Sequence, residues 1–356
     1  MPTLKVLLTG ATGFIGGSVL SELLSSTDPR IKGLEITAIA RGHDQVDILA
    51  RAGMKAMLFN GLDDTRQLRE IAPQYDIVLH CATGLHTASA EALILGLGDS
   101  MEKTGRQTYH IHTTGTSNLA YSILSSPNHT MQDLSDTDMI YEEEVRRNAE
   151  NLYDQRTTDL VVIATADKTG VKAFLMMPPT VYGKGLGCFK TQSIQVPFAI
   201  RRTIDAGHPE YIGDGSGTVG YVHICDLADL YLLLLCRILD GAEIPCGRTG
   251  YYFSNTGAFT WKYLNEKIGN IGVRLGVLKS GTPTSITLDD AVNKWDTFRE
   301  GKRLLIETNF AARSKTTPKN AYMLGWQPKK SAKDWDDEIE TTWKAVLAEK
   351  QDSSRH

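Results

Sequence analysis

The sequence has few cysteines, no long apolar run and no excess of one charge, and each absence argues against a class of protein. The five cysteines are odd in number and form no Cys-x-x-Cys pair, so we expect no disulfide framework and no metal site, but buried thiols in a reducing, cytoplasmic compartment. The longest apolar run, residues 230–236, is too short to span a bilayer and predicts a buried helix. The formal net charge of −4 predicts no nucleic-acid and no membrane partner.

The rest of the composition is that of an ordinary globular protein. With 356 residues, 41% hydrophobic and 22% charged, the chain is long enough for one large domain or two interleaved ones. An apolar strand follows the N-terminus almost directly, so we expect no signal peptide. Strand and helix patterns then alternate; the predicted strands are 5–9, 36–40, 55–59, 76–81, 108–113 and 171–176, and the helices between them include 65–72 and 89–97. This alternation predicts an α/β fold with a doubly wound parallel sheet.

The pattern changes after the proline pair at 178–179. Glycine-rich loops follow at 183–187 and 213–217, and the regular alternation weakens. We therefore expect a smaller C-terminal lobe that covers the carboxyl edge of the sheet, where ligands bind in such folds. The expected division places 1–180 and about 218–240 in the sheet domain, 181–217 and 241–345 in a substrate-binding lobe, and 346–356 in a frayed tail.

The most informative segment joins the first strand to the first helix. The apolar strand 5–9 runs into the turn Gly10-Ala11-Thr12-Gly13-Phe14-Ile15-Gly16, and a helical pattern follows. In this context, spaced glycines are typical of dinucleotide binding. Gly10 allows the tight turn, Gly13 lets a pyrophosphate approach the backbone, and Gly16 lets the helix pack against the strand. We expect the free N–H groups at the start of the helix to bind the phosphates.

Four ordered segments carry a resemblance to a known family. They are Thr9–Gly16, 178–183 (Pro-Pro-Thr-Val-Tyr-Gly), 221–228 (Tyr-Val-His-Ile-Cys-Asp-Leu-Ala) and 324–328 (Leu-Gly-Trp-Gln-Pro). With them the chain resembles the extended short-chain dehydrogenase/reductase family, which includes nucleotide-sugar epimerases and dehydratases, from about Leu4 to about Trp326. The resemblance implies a Rossmann fold and a nicotinamide cofactor, but no particular substrate.

An arginine after the second strand bears on the choice between NAD and NADP. In this fold an acidic residue at that place binds the ribose 2′-hydroxyl of NAD, whereas a cation suits the 2′-phosphate of NADP. Here the strand ends at Ala40 and Arg41 follows, so we expect NADP(H); the alternative is a solvated surface arginine.

The turn, Arg41 and the resemblance together define the expected cofactor site. The resemblance places 62–63 near the adenine, 82–83 near the ribose and pyrophosphate, and 179–181 against the nicotinamide. The expected cofactor-binding residues are Gly10, Thr12, Gly13, Phe14, Ile15, Gly16, Arg41, Leu62, Asp63, Ala82, Thr83, Pro179, Thr180 and Val181.

The resemblance also implies three catalytic side chains: a serine or threonine, a tyrosine, and a lysine four residues after the tyrosine. Thr114 follows the fifth strand at the first of these places, although it equally fits a turn residue that caps a helix. Tyr153 is the candidate tyrosine, but Thr157 stands where the lysine belongs, and a core or interface aromatic is the alternative interpretation. Arg156, on the same helix face, is the candidate source of positive charge, unless it simply pairs with Asp159.

Histidines offer further candidates. His80 and His112 lie at strand ends and His86 in a following loop, so any one of them is a possible replacement for the tyrosine as proton donor. A hydrogen-bonded structural role is the alternative for each. His223 and Asp226 lie in a segment where, by resemblance, the aspartate orders a loop.

The sequence leaves three functions open. The leading hypothesis is an atypical NADPH-dependent reductase of a carbonyl or enone in a small, partly apolar molecule; Tyr182, Phe189 and Phe198 either line its cavity or belong to the core. The second is an isomerase, epimerase or lyase that retains its cofactor. The third is a non-catalytic NADP(H)-sensing protein, because the lysine is missing. A small-molecule substrate is the expected partner, and the resemblance is compatible with a homodimer.

Overall fold

The computed structural model describes residues 3–126, 132–295 and 302–353. Its strands are β1 (Lys5–Thr9), β2 (Glu35–Ala40), β3 (Lys55–Leu58), β4 (Ile77–His80), β5 (Tyr109–Thr113), β6 (Leu134–Ser135), β7 (Lys172–Met177), β8 (Thr180–Tyr182), β9 (Glu210–Ile212), β10 (Thr218–His223), β11 (Tyr251–Phe253), β12 (Gly257–Thr260), β13 (Thr284–Ile286) and β14 (Thr316–Thr317).

Helices connect most of these strands. They are α1 (Phe14–Ser25), α2 (Pro29–Lys32), α3 (His43–Arg51), α4 (Thr65–Ile71), α5 (Thr87–Thr104), α6 (Ile140–Glu150), α7 (Asp154–Thr169), α8 (Gln195–Ala206), α9 (Ile224–Leu239), α10 (Trp261–Arg274), α11 (Leu288–Lys294), α12 (Lys302–Phe310), α13 (Lys319–Met323) and α14 (Ala332–Ser353). Short 3₁₀ turns occupy Ala72–Gln74, Thr116–Leu119 and Gly247–Thr249.

The central sheet has seven strands in the order β11-β7-β5-β4-β1-β2-β3, and all its neighbouring pairs are parallel. The predicted doubly wound parallel α/β fold is therefore confirmed, with each predicted strand present to within a residue or two. Strands β1, β2 and β3 follow one another toward one edge of the sheet. Strands β4, β5, β7 and β11 follow one another toward the other edge. The strand order thus reverses between β1 and β4, and in such folds the crevice at this reversal is where ligands bind.

Side-chain alternation along β1 explains why helices cover both faces of the sheet. Val6 and Leu8 pack in one core cluster with side chains of α1 and α9, whereas Leu7 packs in another with side chains of α4, α5 and α7. The run 230–236 lies within α9, where Leu230 and Leu234 are fully buried, as predicted. Among the described residues, no helix is long and apolar enough to cross a bilayer.

The smaller lobe is built on a second sheet, in which β10 pairs in parallel with β8 and antiparallel with β12. Its core is aromatic: Tyr182 contacts the rings of Tyr221 and Trp335. Tyr182 and Phe198 therefore belong to this core, which was one of the two interpretations of the sequence. Phe189 packs at the edge of the core of the central sheet instead.

Four features differ from the sequence-based expectation. Strand β10 lies in the range 218–240, which the sequence assigned to the sheet domain, but it pairs with β8 and β12 in the second sheet. The edge strand β11 comes from 241–345, which the sequence assigned to the smaller lobe, and pairs with β7. Helix α14 continues to Ser353, over part of the expected frayed tail, and Lys350 Nζ lies 2.9 Å from Asp205 Oδ1 on α8. Of the five cysteines, only Cys81 and Cys236 are buried; Cys225 and Cys246 are half-buried and Cys188 is exposed.

Candidate active site

The glycine turn has the geometry that its sequence predicts. Gly10 has φ +76°, and a Cβ there would lie 2.5 Å from the carbonyl carbon of Cys81. A Cβ on Gly16 would overlap the carbonyl oxygen of Gly10. Gly13 precedes α1 in an extended conformation and offers no side-chain cap, so the first N–H groups of α1 are available to an anion. The turn therefore fits the pyrophosphate of a nicotinamide dinucleotide.

Arg41 lies on the same edge as this turn. Thr9 is in register with Ile39, so Arg41 follows β2 where Gly10 follows β1. The Arg41 side chain is exposed and passes beside Gly61. Within the described ranges, Arg41 forms no ion pair and no hydrogen bond, which leaves its guanidinium free for an external anion.

The other residues expected near the cofactor lie in the loops after β3 and β4. Leu62 is partly packed against the core, Asp63 and Ala82 are exposed, and Thr83 is half-buried. Asp63 Oδ1 lies 3.0 Å from Nε2 of His86, so this histidine is paired at the loop surface. These loops share the carboxyl edge of the sheet with the glycine turn.

A cavity of about 240 Å³ separates the glycine turn from the smaller lobe. Phe14 and Ile15 of α1 line it together with the segment 178–181, and Thr114 with Gln155 on another side. The lobe contributes Ser193, Ile194, Gln195, Val219, Trp261, Thr308, Asn309 and Ser314. Since none of the described residues that line it is charged, the cavity suits a small neutral molecule.

Thr114 is held in a network of side chains at the inner end of this cavity. Its hydroxyl oxygen lies 2.7 Å from Asp159 Oδ2. It also accepts hydrogen bonds from Gln155 Nε2 at 3.2 Å and from Asn118 Nδ2 at 3.3 Å. The expected alternative, a helix cap, does not describe this side chain, because its partners are side chains and the following turn begins after Gly115.

Gln155 is a residue that the sequence analysis missed. From the first turn of α7 its Oε1 accepts hydrogen bonds from Ser117 Oγ at 2.9 Å and from Tyr153 Oη at 3.4 Å. A Cβ on Gly115 would lie 2.9 Å from Gln155 Nε2, so a side chain at this position would displace the amide from its present place. A search restricted to tyrosine and lysine at a fixed spacing gives no signal for a glutamine.

Tyr153 and Arg156 lie on the far side of Ser117 and line a separate cavity of about 510 Å³. Tyr153 Oη is 3.3 Å from Ser117 Oγ, so its hydroxyl points toward the site but does not reach Thr114 directly. Burial raises the pKa of Tyr153, and the hydrogen bond to Ser117 and the charge of Arg156 offset this only in part. The guanidinium of Arg156 lies over the Tyr153 ring, 5.7 Å from its centroid.

The guanidinium of Arg156 donates its hydrogen bonds to backbone carbonyls. Its Nε and Nη2 donate to Asn118 O at 3.1 and 2.8 Å, and its Nη1 donates to Asn151 O at 3.0 Å. Since its donors are turned to these carbonyls, Arg156 does not form the ion pair with Asp159 that was its alternative role. It fixes the segment that carries Asn118, one of the partners of Thr114.

Two carboxyl groups lie behind Thr114. Asp159 and Glu144 are both fully buried, and both accept a hydrogen bond from Asn118 Nδ2, at 2.7 and 2.9 Å. Tyr251 Oη donates to Glu144 Oε2 at 2.7 Å. Burial raises the pKa of Glu144 to about 7, and burial together with the neighbouring Glu144 raises the pKa of Asp159 well above its usual range.

His80, His110 and His112 form a buried stack beside this pair. All three are fully buried, with ring centroids 5.3 to 5.9 Å apart, and Thr9 Oγ1 lies 2.7 Å from His80 Nδ1. Burial lowers the pKa of His80 to about 4 and holds those of His110 and His112 well below their usual range, so the stack is neutral. His80 and His112 therefore do not reach the mouth of the cavity, contrary to the expectation from their positions at strand ends.

The two C-terminal anchor segments contact each other. Asp226 accepts hydrogen bonds from the backbone N–H groups of Lys329 at 2.8 Å and Lys330 at 3.1 Å. Trp326 Nε1 donates to the backbone oxygen of Asp226 at 2.9 Å. The predicted loop-ordering role of Asp226 agrees with these contacts, and His223 caps α9 by accepting from Cys225 N.

Comparison with known proteins places this geometry in a family. Oxidase ucsJ from Acremonium sp is 26% identical over 346 residues, covering 92% of this chain and 93% of that protein. A dTDP-4-dehydro-6-deoxy-D-allose reductase from Streptomyces sp is 30% identical over 260 residues, covering 67% of this chain and 74% of the relative. The structure of the dTDP-glucose 4,6-dehydratase DesIV from Streptomyces venezuelae, solved with NAD bound, shares the fold with a TM-score of 0.64 at 15% identity, over 96% of both chains.

The family assignment follows from a match that covers most of the chain. Residues 6–245 match the NAD dependent epimerase/dehydratase family, a range that contains the glycine turn, Thr114 and the carboxyl pair. Together with the relatives, this match supports an enzyme of the oxidoreductase or epimerase type that uses a nicotinamide cofactor. The chain belongs to the NAD dependent epimerase/dehydratase family.

Proposed function

We propose that the protein is an atypical NADPH-dependent reductase of a carbonyl or enone group in a small, partly apolar molecule. The observation that carries this proposal is the uncharged cavity of about 240 Å³, which joins the start of α1 and the segment 178–181 to the hydroxyl of Thr114. A molecule in this cavity would meet a hydrogen-bonding hydroxyl on one side and the expected nicotinamide position on the other.

The preference for NADPH rests on Arg41. A 2′-phosphate at the end of β2 would meet a free, exposed guanidinium, and no carboxylate follows Ala40 directly to repel it. Bound NADPH supplies the hydride. Gly10, Gly13 and Gly16 let the pyrophosphate lie close to the backbone. On the nicotinamide side, the cofactor would meet Pro179, Thr180 and Val181. The other expected cofactor residues would contact the rest of the dinucleotide.

In the proposed reaction Thr114 orients and polarises the substrate oxygen. Gln155 and Asn118 fix the Thr114 side chain, and Tyr153 donates to Ser117, which in turn donates to Gln155. Arg156 acts as a positioning residue through the Asn118 carbonyl and supplies the nearby positive charge. Since Tyr153 is not next to a lysine, we assign it the secondary role in polarising the oxygen.

The test is oxidation of NADPH, followed by its absorbance, across a panel of aldehydes, ketones, quinones and enones. We expect turnover of at least one compound, and a loss of about 100-fold or more in kcat for Thr114→Val. Thr203→Val, which changes a buried threonine on α8 that bonds Ala199 O, is the matched control and should retain activity. No oxidation of NADPH by the wild type over the whole panel would overturn the proposal.

A second candidate is a non-catalytic NADP(H)-binding protein. It is favoured by one observation: the guanidinium of Arg156 donates to backbone carbonyls, and its charge does not fully offset the burial that raises the pKa of Tyr153. Tight NADPH binding with a silent panel would favour this candidate. A product formed with no net change in NADPH absorbance would instead favour the isomerase or lyase of the sequence analysis.

A further inference from the structure

We propose that Asp159 and Glu144 together hold the proton that Thr114 delivers to the substrate oxygen, in place of a tyrosine–lysine pair. The inference rests on the proposed reductase function and names the proton source for the same site. Asp159 and Glu144 were not assigned any catalytic role by the sequence.

The geometry provides a continuous path from the carboxyl pair to the cavity. Asp159 Oδ2 lies 2.7 Å from the Thr114 hydroxyl oxygen, and Thr114 lines the cavity. Glu144 lies beside Asp159, since Asn118 Nδ2 donates to both carboxyl groups; this neutral amide does not pass a proton, so Asp159 is the member of the pair that exchanges one with Thr114. That single transfer lies within hydrogen-bonding distance.

The surroundings of the pair disfavour two negative charges. Arg156 is the nearest cation, but its donors face the carbonyls of Asn118 and Asn151. From β5, His112 Nε2 lies 3.7 Å from Asp159 Oδ1, and from β11 the Tyr251 hydroxyl donates to Glu144.

Other titratable or charged groups surround the pair. On its own helices these are Glu143, Arg147 and Tyr153. Tyr141 lies near Tyr251, and His80 and His110 lie behind His112. Asp159 Oδ1 is buried and has no donor among the described residues. Two carboxyl groups that share one buried site retain a proton between them, and the raised pKa values of both groups agree with this.

The proton balance of the step is complete. The carbonyl carbon gains the hydride and the substrate is reduced by two electrons, while the nicotinamide is oxidised. The carbonyl oxygen takes the Thr114 hydroxyl proton as the O–H bond of the product forms. Thr114 Oγ1 regains a proton from the Asp159–Glu144 pair, which is then one proton short. After the product leaves, water in the cavity returns a proton to the pair through Thr114.

The first test needs no substrate. Infrared spectra of the NADPH-loaded protein between about pH 5 and about pH 9 should contain a protonated-carboxyl band that titrates near neutral pH. Asp159→Asn and Glu144→Gln should remove or shift it, and Thr114→Val should shift it by removing a hydrogen-bond partner. Asp76→Asn, a buried aspartate at the opposite end of the sheet that bonds Lys5 N, should leave it unchanged. Absence of such a band at acid pH would overturn the inference.

The second test uses the compound of the panel that is turned over fastest. We expect the wild-type kcat to fall as the pH rises and the pair loses its proton, because burial raises the pKa values of both carboxyl groups. Asp159→Asn and Glu144→Gln should lower kcat by about 100-fold and flatten this profile, with NADPH affinity retained. Unchanged rates and profile in both variants would overturn the inference and leave the reductase standing. Absence of turnover by the wild type would overturn the reductase and, with it, this role, even with the infrared band present.

Discussion

The side-chain amide nitrogen of Gln155 lies 3.2 Å from the hydroxyl oxygen of Thr114. A neutral amide from α7 therefore faces the hydroxyl at the inner end of the cavity, where the family resemblance implies a tyrosine and a lysine. The amide cannot gain or lose a proton near neutral pH. Its effect on Thr114 is to fix the direction of the hydroxyl, which leaves proton supply to other groups.

Removal of this amide should slow the reaction without unfolding the protein. In Gln155→Leu the Thr114 hydroxyl loses one donor and Ser117 loses its acceptor, so we expect kcat to fall by about tenfold while the NADPH dissociation constant changes little. Steady-state kinetics with the best compound of the panel measure this. Gln107→Leu, at the opposite edge of the sheet, is the control. An unchanged kcat in Gln155→Leu would show that the amide is only structural.

The close approach of α1 to the glycine turn predicts a large effect of one methyl group. In Gly16→Ala the new Cβ would overlap the carbonyl oxygen of Gly10, which is backbone and cannot turn aside. We expect a loss of about 1–3 kcal/mol in unfolding free energy and a weaker affinity for NADPH. Gly33→Ala, where a Cβ would make only ordinary contacts, is the matched control. Denaturant unfolding and calorimetry check both; equal behaviour of the two variants would contradict the described helix–strand contact.

The buried carboxyl pair predicts a pH dependence of stability. Burial raises the pKa of Glu144 to about 7 in the folded protein, so the folded state holds a proton that the unfolded state has released. Stability should therefore be lost as the pH rises from about 4.5 to about 7, by on the order of 3 kcal/mol. Glu144→Gln should lose less stability over this range. Burial also raises the pKa of Asp136 to about 6, so Asp136 adds to the loss of stability as the pH rises. Its contribution is the same in the wild type and in Glu144→Gln, so it cancels from the difference between their unfolding free energies.

Urea unfolding of the wild type and Glu144→Gln at about pH 5 and about pH 8 measures this difference. A wild-type protein that becomes more stable than the variant as the pH rises would contradict the assigned direction of the Glu144 pKa shift.

An unpartnered hydroxyl in the lobe predicts a stabilising substitution. Tyr182 Oη is buried and has no hydrogen-bond partner among the described residues, although its ring contacts Trp335. Tyr182→Phe should therefore raise the unfolding free energy by about 1 kcal/mol. Tyr231→Phe is the informative counterpart, because Tyr231 Oη lies 2.6 Å from Thr113 Oγ1 and its removal should destabilise. Thermal unfolding distinguishes the two signs; a destabilised Tyr182→Phe would contradict the assignment.

Six strands of the parallel central sheet were predictable from the sequence because most of them are short, mainly apolar segments between recognisable helices. The edge strand β11 was not, since three residues such as Tyr251–Phe253 carry no detectable period. Helix α14 was underestimated because its last turns are highly charged, and ion pairs such as Lys350–Asp205 connect residues far apart in sequence. Contacts of this kind cannot be deduced from local patterns.

The residues of the candidate site also fall into two groups, those that could be identified from the sequence and those that could not. The glycine turn acts through local backbone geometry, and the sequence identified it. Asp226 was identified through the family resemblance, although its partners Lys329 and Lys330 lie far along the chain. Asp159 and Gln155 meet Thr114, and Glu144 meets Asn118, only in the folded chain, and no short motif marks them. The histidines show the opposite case: His80 and His112 stand at strand ends, but their side chains turn into the buried face between strand and helix.

The most direct test of the account is the comparison of NADPH and NADH binding by titration calorimetry, with the wild type and Arg41→Ala. We predict that the wild type binds NADPH at least about tenfold more tightly than NADH, and that Arg41→Ala loses this difference while its affinity for NADH is kept. Arg51→Ala, an exposed arginine at the end of α3, should behave as the wild type. Equal binding of the two cofactors by the wild type, or an unchanged preference in Arg41→Ala, would contradict an NADPH site at the end of β2.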